Sequence, residues 1–281
     1  MSSDGRCLCR QLCRHVVLIA FPRPTFCIPF ELDSGQRMTA NWLQRYRSGD
    51  REEVWTELVA LGSSVRNADV VNEAAAVARE TMARARENVE ELHKRLQKLG
   101  YEFQYPDQVY IPPTAEGRRR LDQLESRIGP MPLSLRAFYE VVGTVDFTQS
   151  WTQLVQYNRP ERKSSPELLY LGEYDPLVVG PLDEKPEPGS ESGHYFLAAD
   201  EFHKANYSGG ESYQVVLPDP RADFPISGMY GVDEFLVPYL RATFVGGGFR
   251  GRIRAVSEDR CVKDAPNLAI TAELARDLLP I

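Results

Sequence analysis

The residue types best suited to chemistry in this 281-residue chain are His194, Asp200 and His203. Two imidazoles and a carboxylate bind zinc, or relay a proton during hydrolysis. Their spacing argues against a shared ion. On an extended strand at about 3.3 Å per residue, His194 and Asp200 share a face but stand about 20 Å apart. Asp219 and Asp223, around Pro220, read as a turn rather than as paired catalytic carboxylates. Gly246, Gly248 and Gly251 satisfy G-x-G-x-x-G. A dinucleotide loop must leave a strand and open a helix; these glycines follow a helical pattern, so a helix C-terminus accounts for them. Cys7, Cys9, Cys13 and His15 are metal-type ligands, but C-x-C-x3-C is not the C-x2-C knuckle of structural zinc. Neither a metal nor a cofactor is expected. An enzyme of hydrolase-like type would draw on Asp200, His203 or Asp219.

The most unusual stretch runs from Asp200 through His203, Lys204, Asn206 and Tyr207 to Gly209, Gly210 and Tyr213. It admits two readings. It is a rigid recognition loop with hydrogen-bond donors and an aromatic anchor, or a long turn whose Asp, Asn and Ser side chains cap their own backbone. Just before it, Asp183 to Ser192 forms an acidic loop with Glu184, Glu187 and Glu191 interleaved with Pro186, Pro188 and Gly189. That loop is expected to be exposed and mobile. Together Glu184, Glu187, Glu191, Asp200, His203, Lys204, Asn206, Tyr207 and Tyr213 are the candidate protein-binding residues.

The elements that must position them begin with helices. Ser48 or Asp50 can cap a helix over about 51–61, with Val54, Trp55, Leu58 and Val59 on one face and Gly62 as its stop. A second helix, about 68–99, carries an apolar seam from Val71 through Ala78 and Met82 to Leu99 at alternating spacings of four and three. Its first half is mostly alanine, so the Trp55 face is the natural partner and a helical hairpin results. Homodimerisation through the seam is the competing reading. His93, beside the seam, is expected to be solvated. Further on, Thr114 caps a helix bearing Leu121, Leu124 and Ile128, and Ser134 caps another bearing Leu135, Phe138, Val141 and Val142. Period-two patterning predicts strands at Val145–Thr148, Leu168–Leu171, Leu177–Val179, Tyr195–Ala198 and Tyr213–Leu217. Pro238 opens a helix, and Thr271 caps the last one.

Residues 1–37 differ in character. They hold four of the five cysteines and no sustained period, and they read as a disordered or non-native extension with Met38 as the natural start. They carry five arginines against three acidic residues, a net +2, so residues 38–281 hold −9 of a total of −7. An acidic domain is a poor nucleic-acid binder and a plausible binder of basic proteins. No apolar run approaches the ~20 residues of a membrane helix. Cys261 then has no disulfide partner, which fits a reducing cytoplasm.

The segment Leu124-Glu-Ser-Arg-Ile-Gly-Pro-Met-Pro-Leu-Ser-Leu-Arg-Ala-Phe-Tyr-Glu-Val-Val-Gly143 resembles the signature of the SUKH superfamily, which comprises bacterial toxin-immunity proteins and fungal cell-wall regulators. Phe235 to Phe249, with Tyr239-Leu240-Arg241 before a glycine turn, is similar to the helix that ends that domain. The resemblance covers roughly residues 114–280. It implies an α+β fold with a mainly antiparallel sheet flanked by helices over 101–281; the helical hairpin at 38–100 lies outside the shared domain. It also implies function by binding, without a catalytic residue. The expected role is an immunity-type inhibitor that covers a basic toxin domain; a regulatory scaffold is the alternative within the family.

Overall fold

The computed structural model describes residues 41–155, 170–183, 186, 193–229, 234–257, 260–264 and 269–281. The described residues open with three helices: α1 (Trp42–Ser48), α2 (Arg51–Ala60) and α3 (Val71–Lys98). Asp50 occupies the N-cap of α2, but its carboxylate turns back to Arg45 Nε at 2.6 Å instead of capping. The buried side of α3 is wider than the expected seam and includes two polar residues, Thr81 and Asn88. Trp55 donates its indole N–H to Thr81 Oγ1 at 3.0 Å, so the contact between α2 and α3 exists. Most of the α3 face, however, packs on α1 and on a later helix, α5 (Leu133–Val141). A face covered from several directions needs a broad apolar stripe rather than a two-position coiled-coil seam. Ala78, Met82 and Val89 have no exposed surface, so the seam is used up within the chain.

His93 is a correction to the sequence reading. It is half-buried and meets the Phe103 ring edge-on at a centroid distance of 5.5 Å, and desolvation lowers its pKa.

Next come β1 (Tyr110–Ile111), α4 (Ala115–Ile128), α5 (Leu133–Val141), β2 (Thr144–Asp146), α6 (Trp151–Val155) and β3 (Val178–Val179). Thr114 caps α4 by accepting from the Gly117 amide at 2.9 Å. Ser134 does not cap α5. The helix begins at Leu133 behind Pro132, and the buried Ser134 hydroxyl donates to Asp223 at 2.6 Å. Leu171 opens a 3-10 turn (Leu171–Glu173), not the end of a strand. Strands β1, β2 and β3 form an antiparallel sheet in that order. Gly143, at φ +99, makes the tight entry to β2; a Cβ there would collide with the Ile111 carbonyl.

The remainder comprises β4 (His194–Ala198), α7 (Glu201–Lys204), β5 (Tyr213–Val216), β6 (Pro225–Ile226), β7 (Glu234–Phe235), α8 (Leu236–Val245), β8 (Arg252–Ser257), β9 (Arg260–Asp264) and α9 (Ala269–Ala275). Strand pairs β4–β5, β6–β7 and β8–β9 are antiparallel. Single links join some of these small sheets. Gly180 N donates to Leu197 O at 2.8 Å, and Gln214 bridges Ser227. Thr271 lies inside α9, so it does not cap that helix.

One apolar cluster runs from Trp42 through α3, α5 and the sheets to Ile281. The helical N-terminal region therefore shares its core with the α+β part. The C-terminal residues are tied to that region as well. Asn88 exchanges two hydrogen bonds with Leu279, and Arg241 donates to the Ile281 carbonyl. The chain is of the α+β class, and among the described residues no helix is long and apolar enough to cross a membrane.

Candidate functional site

The candidate site is built around Asp175, whose side chain is fully buried and whose backbone sits at φ +51. Such a conformation suits Asp and Asn better than most residues. Three donors converge on its carboxylate. Lys204 Nζ lies 2.6 Å from Oδ1, the Tyr213 hydroxyl 3.1 Å from Oδ2, and Arg250 Nη1 3.7 Å from Oδ2. Arg250 also donates from Nε to Glu234 at 2.6 Å. Lys204 stands over the Tyr213 ring, and Arg250 over Tyr239.

The glycines after α8 deliver Arg250 to this place. Leu177 N donates to Gly248 O, Arg250 N to Asp175 O, and Gly251 N to Tyr174 O, so residues 248–251 run beside 174–177 like a short strand. Gly246 is the C-cap of α8. The G-x-G-x-x-G match thus marks a helix end and a close backbone approach.

Burial opposes ionisation of Tyr213, Tyr239 and Arg250 in this cluster. Burial raises the Tyr213 hydroxyl well above its ordinary range, with Asp175 and Tyr239 adding to the effect. For Arg250 burial also works against the charge, but Asp175 and Glu234 outweigh it and the pKa is raised. Two cations, Lys204 and Arg250, face two carboxylates, Asp175 and Glu234. A buried charge survives only when paired in this way.

The expectation that Lys204 and Tyr213 face a partner is therefore corrected. Each is only 1% exposed, and both point inward to Asp175. Asp200 is also buried, for a different reason. Its carboxylate accepts from the Phe202 and His203 amides, capping α7, and contacts His203 Nδ1. Gly210, at φ +83, lies against it; a Cβ there would come within 2.7 Å of the Asp200 carboxylate.

What remains outside is compact. The end of α7 closes in a Schellman motif, with Asn206 at φ +64 and bonds from Asn206 N to His203 O and from Tyr207 N to Phe202 O. This turn projects His203, Asn206 and Tyr207 outward. Tyr207 is 56% exposed, and its hydroxyl donates to Glu173 at 3.2 Å. The side chain of His203 is 53% exposed. The turn expected from the sequence is present, and it leaves three of the candidate side chains at the surface.

The other candidates lie elsewhere. His194 pairs with Gln214 on the neighbouring strand at 2.9 Å. Asp219 is held in a two-toothed ion pair by Arg221. Asp223 is buried beneath α5 and α8, where it accepts from Ser134 and the Val237 amide. Among the described residues, Asp200, His203 and Asp219 line neither the groove beside α4 nor the one between α3 and α9. Among the described residues, no group of three or more His, Cys, Asp or Glu side chains is placed to hold a metal. Glu184, Glu187 and Glu191, and the Cys7, Cys9, Cys13 and His15 set, lie outside the described residues. No family model matches this chain, and no curated protein or solved structure matches it.

Sequence reasoning missed Asp175, Glu234 and Arg250. Asp175 precedes Pro176 and looks like turn chemistry; only its partners, far along the chain, reveal its place in the core.

Proposed function

We propose that this protein acts by stoichiometric binding of a protein partner, as an immunity-type inhibitor that covers the working surface of a basic toxin domain. One observation carries the reading. Tyr207 is a largely exposed aromatic on a turn whose base is fixed by buried ion pairs. An anchor already held in place loses little freedom on docking, and exposed tyrosines on rigid supports dominate many interfaces. His203 and Asn206 supply a polar rim. The resemblance to the SUKH superfamily and the −9 charge of residues 38–281 agree with this reading.

The hydrolase-like alternative draws on the contact between Asp200 and His203, which orients one imidazole. It is the weaker reading, because Asp200 is engaged in capping α7 and Asp219 is occupied by Arg221. The test is binding kinetics against the product of the neighbouring gene, where an immunity-type protein would have its toxin encoded. Tyr207→Ala should mainly speed dissociation. Charge reversal at Glu184, Glu187 and Glu191 should mainly slow association, by an amount that shrinks with added salt. Unchanged kinetics in both variants would remove this face from consideration.

A further inference from the structure

Between α4 and the β1–β2–β3 sheet runs a surface groove of about 640 Å³. That volume is within the range of sites that hold a ligand or a few side chains. Leu121, Leu124, Val145 and the ring of Tyr139 line it. The Tyr139 hydroxyl already donates to Gly180 O at 2.8 Å, and its largely buried ring forms part of the groove floor. One wall carries Ile111, a large hydrophobic that is 44% exposed. Both walls include exposed prolines, Pro112 and Pro181, which makes this an open trough rather than an enclosed cavity.

The charges of the groove are unbalanced. Arg120 is occupied by Glu116, one helical turn earlier. Asp146 and Asp183 also line the groove, and among the described residues neither has an ion-pair partner. Asp183 is near enough to Tyr139 that, after burial, it is the second cause raising that hydroxyl's pKa. Asp146 Oδ1 accepts from the Thr148 amide at 2.9 Å, a bond that leaves its negative charge in place. An apolar trough bordered by two carboxylates outside any described ion pair is complementary to an apolar side chain next to a cation.

We propose that this groove docks a peptide segment of a partner protein carrying an apolar side chain beside a lysine or arginine. The groove shares Asp183 with the start of the acidic loop but no residue with the Tyr207 turn, and the inference does not depend on the function proposed for that turn.

The test uses the intact chain and two fluorescein-labelled capped peptides, one of alternating leucine and lysine, the other with glutamate for lysine. The lysine peptide should bind at least about tenfold tighter by anisotropy, since like charge is excluded from such a site. Asp146→Asn with Asp183→Asn should weaken it roughly fivefold, and Tyr207→Ala should leave it unchanged. Methyl shifts of Leu121, Leu124 and Val145 in the unmodified chain locate the peptide without any variant. Equal binding of the two peptides, absence of binding, or shifts confined to other residues would each overturn the proposal. So would phenethylamine binding as tightly as the peptide, because it would assign the groove to a small amine.

Discussion

Lys204 Nζ sits 2.6 Å from Asp175 Oδ1, and both side chains are wholly shielded from water. The pair joins α7 to the segment that follows the 3-10 turn at Leu171–Glu173, and Arg250 and Tyr213 complete it. Lys204→Met would leave Asp175 short of a counter-charge in the interior, at a cost of roughly 3–5 kcal/mol. Asp175→Asn keeps the backbone, since Asn accepts positive φ, but it strands Lys204. The double variant should therefore lose less than the two single losses added together. Urea unfolding of all three measures this. A Lys204→Met protein as stable as the parent would refute a buried ion pair.

Asp223 makes stability depend on pH. Burial pushes its carboxyl up to about 6 from 3.8, against the pull of Ser134, nearby amides and Arg241. In the unfolded chain it titrates near the ordinary value. Between those two pH values the native state binds more protons than the unfolded one, so this residue's contribution falls as pH rises and levels off above the folded pKa. Relative to Asp223→Asn, the parent should lose roughly 3 kcal/mol between pH 3.5 and 7. Parallel stability curves for the two proteins would show that the carboxyl is not held in a desolvated site.

Much of the scaffold was readable from the order of residues. The Thr114 cap, the Gly62 stop and the alternation at Tyr213 to Leu217 are local signals, and local structure followed them. Ser134 carried the same kind of signal but serves a partner 89 positions away, which no cap pattern encodes. The hairpin β8–β9 was missed because Glu258 and Asp259 lack the Asn-Gly or Gly-Gly chemistry of a short turn. Within the candidate site, the capping by Asp200 and the exposure of Tyr207 follow from nearby sequence. The inward turn of Lys204 and Tyr213 does not, since it depends on Asp175 and Arg250 arriving from distant segments.

The interior of α3 gives a test of its packing. Ala78 has no exposed surface, and α3 lies against α1 and α5. Ala78→Glu would force a carboxylate into that contact, costing on the order of several kcal/mol. Thermal unfolding would register it as a large drop in Tm. An unchanged Tm would mean that this face is open to water.

Two substitutions separate the shape of the α7 turn from its exposed tip. Gly210 holds φ +83 against the Asp200 carboxylate. Gly210→Ala strains the backbone and crowds the group that caps α7, so it should cost about 1–3 kcal/mol. Tyr207→Ala removes an exposed ring and one surface bond to Glu173, so stability should stay within about 0.5 kcal/mol of the parent. Partner binding should respond in the opposite pattern. Losing Tyr207 removes the anchor while the turn remains, so affinity falls with little change in Tm. Gly210→Ala keeps the anchor but tilts its support, so affinity and Tm fall together. Measuring Tm and dissociation rate for both proteins distinguishes these cases. If Tyr207→Ala lowers Tm as far as Gly210→Ala does, the tyrosine is part of the scaffold, and a binding role for its exposed ring fails.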